Sequence, residues 1–194
     1  MGAIKKVVIL GPESTGKSTL SAQLAAHYNS IWVEEYARDY LLQHGTQYSF
    51  DDLLRVAQGQ VGLEEAALQQ MAQEGMVPAS ASGEANVPLP PVFLDTDMYV
   101  MKVWCEFVFG QCHYYILDQI ANRTYDLYLL CNIDLPWVKD ELREYPDEQP
   151  RKELYHMYRD LLINQPVPWV TISGGYAERL SAAIVAVDAL LQRG

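Results

Sequence analysis

Residues Gly11-Pro12-Glu13-Ser14-Thr15-Gly16-Lys17-Ser18 fit the spacing G-x-x-x-x-G-K-[ST], and the flanking segments decide what that spacing means. The apolar run Val7-Val8-Ile9-Leu10 precedes it, and Leu20, Leu24 and Tyr28 follow at the four-residue spacing of one helix face. A strand that turns through two glycines into a helix points successive backbone N–H groups, and the helix's positive end, at one place. Lys17 adds a mobile cation for the β- and γ-phosphates, and Ser18 adds a hydroxyl able to ligate Mg²⁺. The segment therefore predicts an ATP-type triphosphate site built from Gly11, Glu13, Ser14, Thr15, Gly16, Lys17, Ser18 and Thr19.

The rest of the chain repeats the strand-then-helix pattern. Strands are expected at 6–10, 30–34, 92–95, 125–131 and 167–173, and helices at 17–28, 35–44, 50–74, 98–109, 114–122, 151–164 and 176–191. This alternation, with the phosphate loop after the first strand, predicts an α/β fold around a parallel sheet. Its five-stranded, mainly parallel sheet would carry helices on both faces and a small lid. With 194 residues, 49% of them hydrophobic, one domain spanning 1–194 can bury a full core. Two segments break the pattern. Residues 75–91 are rich in Ala, Ser and Pro and read as a flexible loop. Residues 132–150 are dense in charge, follow the fourth strand, and read as a lid.

Charge narrows the partners. A net charge of −11 argues against a nucleic-acid backbone or an anionic membrane surface. Cys105, Cys112 and Cys131 form no C-x-x-C pair and suit a reducing cytoplasm. The strand so near the N-terminus leaves no room for a signal peptide, and no apolar run approaches a membrane span.

A phosphate loop alone does not choose between kinase, GTPase and motor. Phe93-Leu94-Asp95 is an apolar strand ending in a carboxylate, an arrangement able to hold Mg²⁺. Asp97 follows as either a second active-site acid or a helix N-cap. Glu34-Glu35 closes the second strand, where a kinase needs an acceptor for the attacking hydroxyl's proton. Arg38 is either a partner of Glu34 on the helix or a ligand for the substrate. Arg143 and Arg151 flank the lid, where cations can close over developing charge. His27, His44, His113 and His156 show no ligand spacing. A GTPase would want Asn-Lys-x-Asp, and Cys131-Asn132-Ile133-Asp134 lacks the lysine.

Taken in order, several blocks resemble one family, the ribosylnicotinamide kinase domain of bacterial NadR-type proteins. They are Gly11 to Thr19, Trp32 to Tyr40, Gly59-Gln60 with Glu64, Phe93 to Asp97 with Trp104, Tyr125 to Leu130, Asp134 to Val138 with Leu142-Arg143, and Gly174 to Arg179. The resemblance implies a P-loop NTPase fold of the nucleoside/nucleotide-kinase type and ATP–Mg²⁺-dependent phosphorylation of the ribose 5′-hydroxyl of nicotinamide riboside. It implies Lys17 and Ser18 on ATP–Mg²⁺ and Asp95 at the metal. Glu35, Tyr36, Arg38, Asp97 and Trp104 would stand near the acceptor, Arg143 in the lid, and Gly174 and Arg179 at the adenine. The adenylyltransferase part of that family has no counterpart in these 194 residues. Met98, Tyr99 and Val100 depart from the Thr or Ser usual after the second Asp, and Lys139 to Arg143 lacks an expected glycine. The open alternatives are a kinase for another nucleoside or nucleotide, and a regulatory ATP-binding NTPase.

Overall fold

The computed structural model describes residues 4–73 and 89–193. Along the chain run β1 (Lys6–Leu10), α1 (Lys17–His27), β2 (Trp32–Val33), α2 (Tyr36–His44), α3 (Phe50–Gln73) and β3 (Val92–Asp95). They are followed by α4 (Met98–Phe109), α5 (Tyr114–Asn122), β4 (Leu127–Cys131), α6 (Glu148–Ile163), β5 (Trp169–Ile172) and α7 (Tyr176–Leu191). The five strands pair in parallel in the order β2-β3-β1-β4-β5.

Strands this apolar are buried on both faces, and the alternation of side chains divides the core in two. Val8, Leu10, Leu94 and Leu130 pack with Val100, Leu154 and Tyr158 of α4 and α6. Val7, Ile9, Phe93 and Leu129 pack with Leu20, Leu24, Ala183 and Val187 of α1 and α7. A third cluster, around Leu53, Val56, Met101 and Ile116, seats α2 and α5 on α3 and α4.

The chain leaves β1 through α1 on one face and leaves β3 through α4 on the other. Adjacent strands with connections on opposite faces open a crevice beyond their carboxyl ends, and ligands of open α/β sheets bind there. The register Ile9↔Asp95 sets the end of β3 beside the phosphate loop.

Several element boundaries differ from expectation by one to three residues, β4 and β5 each starting two residues late, and two of the differences have a clear physical reason. At the edge strand β2 only Trp32 and Val33 pair, because the Glu34 carbonyl is taken by a side chain of α3 instead of the ladder. Helix α6 begins at Glu148 and not at 151, passing through Pro150. A proline in the first turn costs little, since N–H groups there have no partner inside the helix. The flexible loop expected at 75–91 falls outside the described residues, apart from 89–91.

Candidate active site

Gly11 has φ +145, and a Cβ there would sit 2.7 Å from the Cys131 carbonyl oxygen, so only glycine lets the loop leave β1 so close to β4. Gly16 caps α1 in the left-handed region at φ 77, and Ser14, between them, holds φ 56. The loop is braced from within and below. Thr15 Oγ1 and Lys17 Nζ both donate to the Pro12 carbonyl, at 2.7 and 3.0 Å. Beneath it the buried Arg179 donates Nη1 to the Thr15 carbonyl at 3.0 Å, Nη2 to the Asn132 carbonyl at 3.0 Å and Nε to the Gly174 carbonyl at 2.7 Å. Arg179 also pairs with Asp134. A guanidinium with its donors engaged on several segments fixes the loop's height over the sheet.

The loop forms one wall of a cavity of about 580 Å³. Asp95, fully buried, enters it with both carboxylate oxygens lacking a hydrogen-bond partner. Burial raises its pKa above the usual carboxylate range; the Lys17 charge opposes this, Glu35 adds to it, and the Ser18 hydroxyl, close by but outside full hydrogen-bond geometry, also opposes it. A buried carboxylate without a hydrogen-bond partner, with a serine hydroxyl on the same cavity, offers the oxygen ligands a hard divalent cation takes. The next residue, Thr96, has φ 107, a strained value for a β-branched residue. Among the described residues no group of three or more His, Cys, Asp or Glu could together hold a metal ion.

Glu34 and Glu35 face the same cavity from the end of β2. Gln60, buried on α3, fixes that corner: its Nε2 donates to the Glu34 carbonyl at 3.1 Å and its Oε1 accepts the Tyr36 N–H at 2.8 Å. Gly59 beside it admits the Tyr36 ring, which a Cβ would meet at 2.1 Å.

Segment 132–150, expected as a lid, packs against the phosphate loop and lines the cavity. The Glu13 carboxylate accepts the backbone N–H of Glu144 at 2.9 Å, that of Tyr145 at 2.7 Å and the Trp137 indole N–H at 3.1 Å. Ser14 Oγ accepts the Val138 N–H at 2.9 Å. Across the mouth Arg38 grips Asp140 with contacts of 3.3 to 3.4 Å. Arg143 faces the cavity and donates to the Val138 carbonyl. Arg151, at the start of α6, is buried with Nε and Nη2 unpartnered, and burial lowers its pKa although Glu13 and Glu148 lie near.

The cavity gathers Gly11, Glu13, Ser14, Thr15, Gly16, Lys17, Ser18, Thr19, Glu35, Arg38, Asp95, Trp104 and Arg143. Four expected residues are placed elsewhere. Asp97 is the N-cap of α4, accepting from the Tyr99 and Val100 N–H groups and the Tyr128 hydroxyl, with burial pushing its pKa to about 7. It lines a separate hollow of about 350 Å³. Tyr36 turns onto Gly59. Gly174 and Arg179 lie beneath the loop, because the guanidinium is committed to backbone carbonyls. Glu13 and Ser14 lie at the cavity, but in this structure their side chains tie the lid. Sequence reasoning missed Gln60 as a brace and Asp140, Glu144 and Tyr145 as cavity walls. The charge of the lid segment was the available signal for the last three.

The AAA_28 family, described as an AAA domain, matches residues 6–179. The chain is 29% identical over 175 residues to the Trifunctional NAD biosynthesis/regulator protein NadR of Escherichia coli (strain K12), covering 87% of this chain and 38% of that protein. It thus spans well under half the length of this curated relative. A crystal structure of NadR protein in complex with NR matches with a TM-score of 0.73 at 27% identity, over 96% of this chain and 50% of that one. A second, in complex with NAD and AMP-PNP, matches with a TM-score of 0.68 at 25% identity, over 96% and 49%.

Proposed function

We propose, for a chain that belongs to the AAA_28 family of AAA domains, that it is an ATP-dependent kinase which phosphorylates the 5′-hydroxyl of nicotinamide riboside, giving nicotinamide mononucleotide. The observation that carries this is Asp95, a buried carboxylate without a partner, in one cavity with Lys17, Ser18 and Glu35. The likeness to a NadR protein solved with NR, and to one solved with AMP-PNP, supports the choice of both substrates.

In this reading the loop N–H groups and Lys17 hold the β- and γ-phosphates, and Ser18 and Asp95 would hold Mg²⁺. The ion supplies neutralisation of charge on the transferring group. Glu35 orients the ribose 5′-hydroxyl and takes its proton as the hydroxyl oxygen bonds to the γ-phosphorus. The bond from that phosphorus to the β,γ-bridging oxygen breaks, and ADP leaves. Arg143 closes over the developing charge, and the lid excludes water that would otherwise hydrolyse ATP. Trp104 and Arg38 border the acceptor.

We treat residues 1–194 as one kinase-like unit with 132–150 as its lid. The net charge of −11 supports a small-molecule partner over nucleic acid. Among the described residues no helix is long and apolar enough to cross a membrane, and the free thiols of Cys105, Cys112 and Cys131 support a cytoplasmic setting. Coupled detection of ADP tests the reading: nicotinamide riboside should stimulate Mg²⁺-dependent ADP release severalfold. ADP release at one rate with and without riboside would overturn it.

A further inference from the structure

Resting on the kinase reading above, we infer that Glu144 of the lid selects a cationic acceptor base, held at the cavity by Tyr48 and Trp104. Glu144 is fixed at both ends. Its backbone N–H is bound by Glu13 at 2.9 Å, and its carboxylate accepts the Tyr48 hydroxyl at 2.9 Å. Tyr48 is itself set by the Trp104 indole N–H, which donates to its hydroxyl at 2.9 Å, and by edge-on ring contact at 5.0 Å. The carboxylate is therefore delivered to a wall that also carries Trp104, Phe107 and Tyr145.

The three cations that line this cavity, Lys17, Arg38 and Arg143, are each engaged within the protein. Arg38 is clamped to Asp140, and Arg143 donates to the Val138 carbonyl. Although Glu144 keeps contact with solvent, partial burial and the neighbouring Glu13 carboxylate raise its pKa, with Tyr48 opposing, so a positive partner would be favoured beside it. An aromatic ring carrying a fixed positive charge, such as an N-linked pyridinium, gains from the carboxylate and from the Trp104 face together. A neutral base of the same shape keeps only the stacking and lacks both charge-dependent gains. Glu144 thus acts as a specificity-determining residue: it distinguishes the charge of the base and takes no part in transfer to the ribose hydroxyl.

The test compares two acceptors of one shape, nicotinamide riboside and its neutral dihydro form, in wild type and Glu144→Gln. The glutamine oxygen can still accept the Tyr48 hydroxyl, so the charge alone is removed. The ratio of kcat/KM for the cation over the neutral form should fall about tenfold, carried by KM for the cation. Tyr48→Phe, which releases the carboxylate, should lower the same ratio by a smaller factor. An unchanged ratio in Glu144→Gln, whether both acceptors decline together or neither does, would mean that Glu144 only tethers the lid, and would overturn the inference. Wild type that phosphorylates neither riboside would instead overturn the kinase reading on which it rests.

Discussion

The Glu13 carboxylate accepts the Tyr145 backbone N–H at 2.7 Å, joining the tip of the phosphate loop to the far limb of the lid. With the Glu144 and Trp137 bonds to the same carboxylate, one side chain holds two stretches of the lid at once. Glu13 therefore ties segment 132–150 directly to the phosphate loop.

This linkage sets the lid's mobility. Hydrogen bonds to a charged acceptor stabilise by about 1.5–3 kcal/mol where shielded, and less here because these are partly exposed. Glu13→Ala should open the lid severalfold more often. Limited proteolysis should then cut within 132–150 faster in the variant than in wild type, without nucleotide. Equal rates would show that other contacts, such as Arg38 with Asp140, hold the lid.

Lys17→Ala should abolish phosphoryl transfer and leave the fold intact, since Lys17 is half-buried at the cavity and absent from the hydrophobic clusters. Removing a cation from a phosphate site costs on the order of a hundredfold or more in rate. A steady-state assay beside a thermal unfolding curve separates lost chemistry from lost structure.

The carboxylates should divide by role. Asp95→Asn should raise the Mg²⁺ concentration needed for half-maximal rate. Glu35→Gln should lower kcat by about 10²- to 10⁴-fold and leave ATP affinity near normal. Magnesium titrations and ATP titrations of both variants check the division; weaker ATP binding with kcat unchanged in Glu35→Gln would move the base elsewhere.

Gly59→Ala should destabilise the protein by about 1–3 kcal/mol, because its Cβ would overlap the Tyr36 ring between α2 and α3. Gln60→Ala should act at the same corner by loosening Glu35, with kcat falling about tenfold. Denaturant unfolding reads the first, and kinetics at saturating ATP read the second.

What could be read from the sequence was local. The phosphate loop, the apolar strands and Asp95 each declare themselves within a few residues, through spacing, turn chemistry and run length. Gln60 and Glu13 act on partners 24 and 132 residues away, and pairings of that kind leave no local period. Arg179 shows the same limit. Its position beside a glycine turn suits a nucleotide contact, but the close approach of β4, Asp134 and the loop directs its donors inward. Asp97 had two chemically equal readings, and the Tyr128 hydroxyl accompanies the capping one.

The most direct measurement is the mass of the product formed from ATP–Mg²⁺ with a panel of nicotinamide riboside, uridine and thymidine. The account predicts that nicotinamide riboside gains one phosphoryl group, at the 5′-oxygen, with kcat/KM at least about tenfold above either neutral nucleoside. A neutral nucleoside as the better acceptor, or ADP and free phosphate as the only products whatever riboside is added, would contradict it.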